Sequence, residues 1–132
     1  GDYFKHWLEM GKKLHKQPKI FHVNWFRTDS SGNFLWPGFG ENLRVIKWII
    51  ERVKEEIGAK ETAIGYVPHA KDMHIEGINL AEEDIEELLH IDKEAWNEEV
   101  KKQEEFFKKF GSRLPREILE EHGKLKERLL KE

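Results

Sequence analysis

Five aromatic rings, Trp25, Phe26, Phe34, Trp36 and Phe39, fall within the eighteen residues from Trp25 to Asn42, beside a turn, a Pro-Gly step and a Gly-Phe-Gly. Loops rarely need so many rings, and the residues alone leave two readings open. The rings can plug the end of a core, which suits Phe21, Val23 and Trp25, or they can stack on a flat ligand. Phe26 shares its strand parity with His22 and Asn24, away from that apolar side, and so is better placed for a ligand. Gly38 and Gly40 flank Phe39 and give the backbone the freedom to aim its ring outward. Asn42 follows in the first turn of a helix, where its amide offers donors and acceptor lone pairs to a polar ring edge. Rings that stack, with an amide at the rim, describe a nucleobase site. Stacking there contributes about 1–3 kcal/mol per base, and the amide discriminates between bases.

Other chemistry finds little support. The seven histidines include no HExxH pair, and His69 and His74 sit in a loop without further ligands at helical spacing. Ser30, Ser31 and Ser112 occupy turn or cap positions, and no serine lies in GxSxG. The Gly-Phe-Gly is not a phosphate loop, because no GK[ST] follows it. Acidic side chains fall on solvent faces of helices and form no distinguishable catalytic pair. No catalytic or metal-ligating residue is assigned.

The elements that must position the rings are readable in outline. Phe4, Trp7, Leu8 and Leu14 recur at helical spacing and predict a first helix that stops before Pro18. Lys19 to Arg27 alternates as a strand does, and the turn chemistry of Thr28 to Gly32 predicts a hairpin returning through Asn33 to Trp36. After Pro37 to Gly40, the residues Leu43, Ile46, Ile50, Val53 and Ile57 predict a firmly packed second helix ending at Gly58. Thr62 to Val67 reads as one more strand, and Pro68 to Asn79 as a loop. Three helices follow: Leu80 to Leu89, Lys93 to Phe110, and Pro115 to Leu130. Trp96, Val100, Phe107 and Phe110 share one side of the second of these, and Ile118, Leu125 and Leu129 point inward from the last.

Length and composition bound the rest. At 132 residues one core, or a piece of a larger one, is expected. With 23 Lys and Arg against 26 Asp and Glu, and the signs interleaved, no basic footprint for nucleic acid forms. No apolar run reaches the roughly 18–20 residues of a membrane span, and the amino terminus lacks a signal-peptide layout, so a cytoplasmic location is expected. The absence of cysteine agrees with that compartment and removes disulfides and thiolate chemistry.

The run Asn24-Trp25-Phe26-Arg27, a short turn, then Phe34 to Asn42 as FLWPGFGEN, is very similar to the guanine-binding stretch of GTP-dependent phosphoenolpyruvate carboxykinases. The similarity extends through Tyr3 to Leu8, Pro18 to Val23 and Ile64 to Pro68, while the helical tail matches chiefly in character. Leu43-Arg44 stands where the family pattern has Ser-Arg, a change that leaves the pocket residues intact. The resemblance implies that Phe26, Phe34 and Phe39 enclose guanine, that Asn42 hydrogen-bonds beside it, and that Trp25 and Gly38 form part of the wall.

It also implies an α+β fold, mostly helical with a small sheet element, with residues 1–132 forming a carboxyl-terminal fragment of the nucleotide-binding domain and no second domain. The full enzyme of the family is a lyase of gluconeogenesis. It converts oxaloacetate and GTP to phosphoenolpyruvate, GDP and carbon dioxide, using manganese and a second divalent ion held by the nucleotide. The phosphate loop, manganese ligands, substrate-binding arginines and mobile lid are expected before Gly1, so the fragment alone is expected to be inactive. Its expected partners are GTP or GDP and the rest of the parent enzyme, with no nucleic acid or membrane. Apolar surface at the cut would favour self-association. The alternative from another class is a stand-alone helical module whose aromatic loop grips a protein.

Overall fold

The computed structural model describes residues 1–131. It is mostly helical with a small two-stranded antiparallel sheet, an α+β arrangement. The elements in chain order are α1 (Asp2–Lys13), α2 (Asn42–Val53), β1 (Lys60–Thr62), β2 (Gly65–Val67), α3 (Glu82–Leu89), α4 (Lys93–Lys108) and α5 (Arg116–Lys131). The chain divides into two compact units.

The first unit contains Gly1–Pro18, Thr62–Ile64 and residues 91–131. The helix α4 starts where the Asp92 carboxylate accepts the Ala95 N–H at 2.9 Å, satisfying a donor that the first turn leaves free. Val100 of α4 and Leu129 of α5 bury against Ala63, with Trp96 and Leu125 packed around them. These are the apolar stripes that helical spacing indicates. His122 is a buried polar residue inside this pair. Its Nε2 lies 3.1 Å from the Val100 carbonyl, and its ring meets Phe107 edge-on.

The second unit contains Lys19–Glu61 and Gly65–His90. Its buried centre is Trp36, Met73 and Ile85, with Trp25, Val45, Leu80 and Leu88 among the residues packed on it. From Phe21 to Arg27 burial alternates residue by residue, as extended backbone requires. No ladder forms there, however, and the expected hairpin reduces to one isolated antiparallel bridge, Thr28 to Phe34, with the Leu35 N–H donating to Arg27 O. Alternation determines which side chains face inward, but a strand also needs a partner with its own N–H and C=O groups in register.

Two other expectations change. Thr62 to Val67 is not one strand: β1 and β2 pair across a tight turn, and Gly65 at φ +124° supplies the conformation that re-enters the second strand. The second helix ends at Val53, short of Gly58. Lys19 Nζ donates to Arg52 O, Arg52 Nη1 donates to Ile57 O, and Glu55 takes φ +65°, so the carboxyl-terminal turn is captured before Ile57 can join it.

The stripe expected to pack also faces the other way. Leu43, Ile46, Ile50 and Val53 are exposed, and the buried face of α2 centres on Trp48, which meets Phe21 edge-on. This helix is apolar on two faces, so spacing alone selects neither. The larger side chain goes inside.

Candidate nucleobase site

The turn that carries the rings is organised by Asp29. Its Oδ1 accepts the N–H groups of Ser31 at 2.8 Å and Asn33 at 2.9 Å, and its Oδ2 accepts the Asn33 Nδ2 at 3.1 Å. The Asn33 side chain first, then the backbone N–H groups of Asn33, Ser31 and Gly32, hold the Asp29 carboxyl below its ordinary range, against a smaller opposing effect of burial. Gly32, at φ +85°, closes the reversal.

One end of this hairpin is tied down by Arg27, whose Nη1 donates to Leu88 O at 2.9 Å and His90 O at 2.7 Å. A guanidinium on the last carbonyls of α3 also suits the negative end of that helix.

Phe26 and Phe34 therefore meet across the turn, ring centroids 6.1 Å apart and edge to face. They remain 73% and 63% exposed, and Phe39 is 92% exposed. Gly38, at φ +119°, precedes the single 3-10 turn Phe39–Glu41 that leads into α2. Phe39 makes no ring contact among the described residues. Trp25 is half-buried, 6.1 Å from Trp36 in the core of its unit. The structure thus brings Phe26 and Phe34 together, leaves Phe39 open, and places Trp25 inside. A plug would have buried the three phenylalanines.

Asn42 is the first residue of α2 and half-buried, and its Oδ1 accepts the Trp36 Nε1–H at 2.9 Å. Trp36 itself is 5% exposed. In the sequence Trp36 stands out only as a fifth ring. The signal for its second role was its chemistry: a buried indole N–H needs an acceptor, and Asn42 is a side-chain amide six positions on.

His74, one of the two loop histidines, is engaged structurally. At φ +53°, its carbonyl accepts Arg44 Nη1, Lys47 donates to its Nδ1 at 3.2 Å, and its Nε2–H donates to Glu51 at 2.8 Å. These bonds pin the loop after β2 to α2. The bond from His74 is the chief influence holding Glu51 below the ordinary glutamate range.

Two grooves among the described residues lie away from the rings. One, about 380 Å³, runs along the exposed side of α2 past Leu43, Ile46 and Ile50; the other, about 340 Å³, lies over α4 and α5 beside Trp96, Phe107 and His122. The first groove is walled by aliphatic side chains edged with Lys47 and Glu51, the second by aromatic and aliphatic side chains edged with Glu121 and Arg128. Phe26 and Phe34 form an open aromatic pair, and the Asn42 amide is bonded to Trp36 within the same unit.

The chain is thus an α+β fold with an exposed aromatic pair and an asparagine bonded to a buried indole. Its residues 1–128 match the model of the phosphoenolpyruvate carboxykinase C-terminal P-loop domain, and the chain belongs to that family. It is 47% identical over 129 residues to a phosphoenolpyruvate carboxykinase [GTP] of Thermoplasma volcanium, covering 98% of this chain and 21% of that protein. A protein of the same name from Neocallimastix frontalis is 50% identical over 132 residues, covering 98% of this chain and 22% of its own length. One from Corynebacterium jeikeium is 44% identical over 130 residues, again 98% of this chain and 22% of that protein.

The chain therefore spans about a fifth of the length of the curated relatives it matches. Relatives named for an enzyme do not favour the reading of the loop as a protein-gripping module.

The manganese that the resemblance implies needs several oxygen or nitrogen donors converging on one point. Among the described residues no group of three or more His, Asp or Glu is placed to hold a metal ion, and His74 is committed to Lys47 and Glu51. These residues do not fit a metal centre. No helix among the described residues is long and apolar enough to cross a membrane.

Proposed function

We propose that this chain supplies the base-reading part of the nucleotide site of a GTP-dependent phosphoenolpyruvate carboxykinase, the enzyme that converts oxaloacetate and GTP to phosphoenolpyruvate, GDP and carbon dioxide. Phe26, Phe34 and Phe39 offer stacking surface, Asn42 reads the rim of guanine, and Trp25 and Gly38 support the wall. The observation that carries this is the exposure of three phenylalanines within reach of one turn and one helix start, in a chain whose other large rings pack inward at that point. Open rings of this kind mark a surface that another flat or apolar group covers.

Residues 1–132 act in this reading as one carboxyl-terminal portion of the nucleotide-binding domain. Phosphate, manganese and oxaloacetate contacts are assigned to the part of the family's polypeptide outside the match. A cytoplasmic setting belongs to the same reading, in keeping with a sequence free of cysteine.

Base contacts without phosphate contacts yield about 4 kcal/mol, a dissociation constant near 1 mM. Guanosine titrated into the chain should quench tryptophan fluorescence with that midpoint, through Trp25 and Trp36 next to the platform, and adenosine should do so less. Equal quenching by the two nucleosides would remove the base-specific reading.

A further inference from the structure

We propose that Trp36 is a positioning residue for base discrimination, because its indole N–H holds the Asn42 amide in the one orientation that offers a ligand a donor. This deepens the guanine-site reading and rests on it.

An indole nitrogen can only donate, so the Asn42 atom 2.9 Å from Trp36 Nε1 must be the carbonyl oxygen. The two branches of an amide are usually hard to tell apart; here the chemistry of the partner decides. With Oδ1 committed, the free branch is the NH2 group. It has no protein partner among the described residues, and it is not one of the buried polar atoms left unpaired, a condition found at Trp48 Nε1. Asn42 Nδ2 is therefore not wholly enclosed, and no protein acceptor among the described residues competes for it.

Guanine carries a carbonyl oxygen at position 6, whereas adenine carries an amino group there. A fixed NH2 donates to the first and opposes the second donor to donor. A freely turning amide would accept either base by a half-turn about its last side-chain torsion, and discrimination would vanish. That half-turn in this structure would set NH2 against the indole N–H beside a buried ring, leaving both without acceptors. Trp36 thus excludes the adenine-accepting state without being exposed to the base itself.

The test uses the 132-residue chain, its Trp36→Phe and Asn42→Asp variants, and GMP and AMP as probes, so that phosphate contributes equally to both affinities. Dissociation constants come from NMR titration. Without ligand, the Trp36 indole N–H should exchange slowly with deuterium. In the parent chain GMP should bind about tenfold more tightly than AMP.

Trp36→Phe should retain binding of both while the ratio collapses to within about twofold. Asn42→Asp keeps an acceptor for Trp36 but turns an oxygen outward, so AMP should now bind as well as GMP or better. If Trp36→Phe does not fold, the aspartate variant decides. A parental ratio in either folded variant, or a rapidly exchanging indole N–H, overturns this proposal alone. Equal binding of GMP and AMP by the parent chain removes the guanine-site reading and the proposal together.

Discussion

The pairing of Phe26 with Phe34 depends on single side chains away from their rings, and Asp29 is the clearest of them. Its carboxylate gathers two backbone N–H groups and the Asn33 amide, fixing the turn that sets Phe34 opposite Phe26. Those bonds favour the ionised form, so the folded-state pKa lies below the ordinary value near 3.8. A depressed carboxyl stabilises the fold fully above its unfolded pKa, and this contribution is lost as pH falls through the folded value. Asp29→Ala should therefore have a lower urea midpoint than the parent at pH 7, and the difference should narrow steadily below pH 3.8. Midpoints at pH 7, 4 and 3, with the amide shifts of Ser31 and Asn33 followed alongside, check this; a difference that stays constant across the range would mean the carboxylate is not what holds the turn. The turn was legible from Thr-Asp-Ser-Ser-Gly because Asp and Gly have specific turn chemistry. The bond between Trp36 and Asn42 was not, since sequence gives neither burial nor rotamer.

Elements show where periodicity informs and where it misleads. Stripes in α4 and α5 were readable because each of these helices has one apolar face against a strongly charged remainder, and Val100 and Leu129 are buried accordingly. For α2 the same rule was ambiguous. Leu43, Ile46, Ile50 and Val53 form one stripe and Val45, Trp48 and Ile49 another, and the bulk of Trp48 settles the choice. Strand assignments failed for a related reason: Phe21 to Arg27 has the alternation but no partner in register, and Thr62 to Val67 contains a glycine where the chain reverses. The assignment of faces in α2 has a measurable consequence. Trp48→Ala should destabilise the chain by about 3–5 kcal/mol, the cost of emptying a packed aromatic site. Ile50→Ala, at a half-exposed position on the outer stripe, should cost less than about 1 kcal/mol. Denaturant unfolding of the two variants decides between the faces, and a larger loss at Ile50 than at Trp48 would invert the assignment made here.

At the scale of the molecule, what the sequence disclosed most fully was membership of a family, because FLWPGFGEN combines rings, glycines and an amide in an order that few other folds would need. The division into two units, each with its own small buried cluster, was not readable, since composition counts apolar residues without saying which ones meet. The molecule as it stands also limits what its site can do. Phosphoryl transfer needs cations or metal ions aimed at the phosphates and at the reacting oxygens. The platform offers uncharged rings and an amide, the sequence has no GK[ST], and the described residues form no metal-binding group. On the proposed reading, recognition of the base should therefore be separable from chemistry on the nucleotide. With manganese, GTP and oxaloacetate present, the chain should form no phosphoenolpyruvate above the rate without protein. GTP should bind within about threefold of guanosine, a difference of roughly 0.6 kcal/mol, since its triphosphate finds no dedicated partner. A coupled assay for phosphoenolpyruvate and a parallel titration with both ligands check these together. Product formation would place catalytic groups among residues given structural roles here, and a tenfold advantage for GTP would reveal a phosphate contact near the platform that the geometry of Asn42 and its neighbours does not account for.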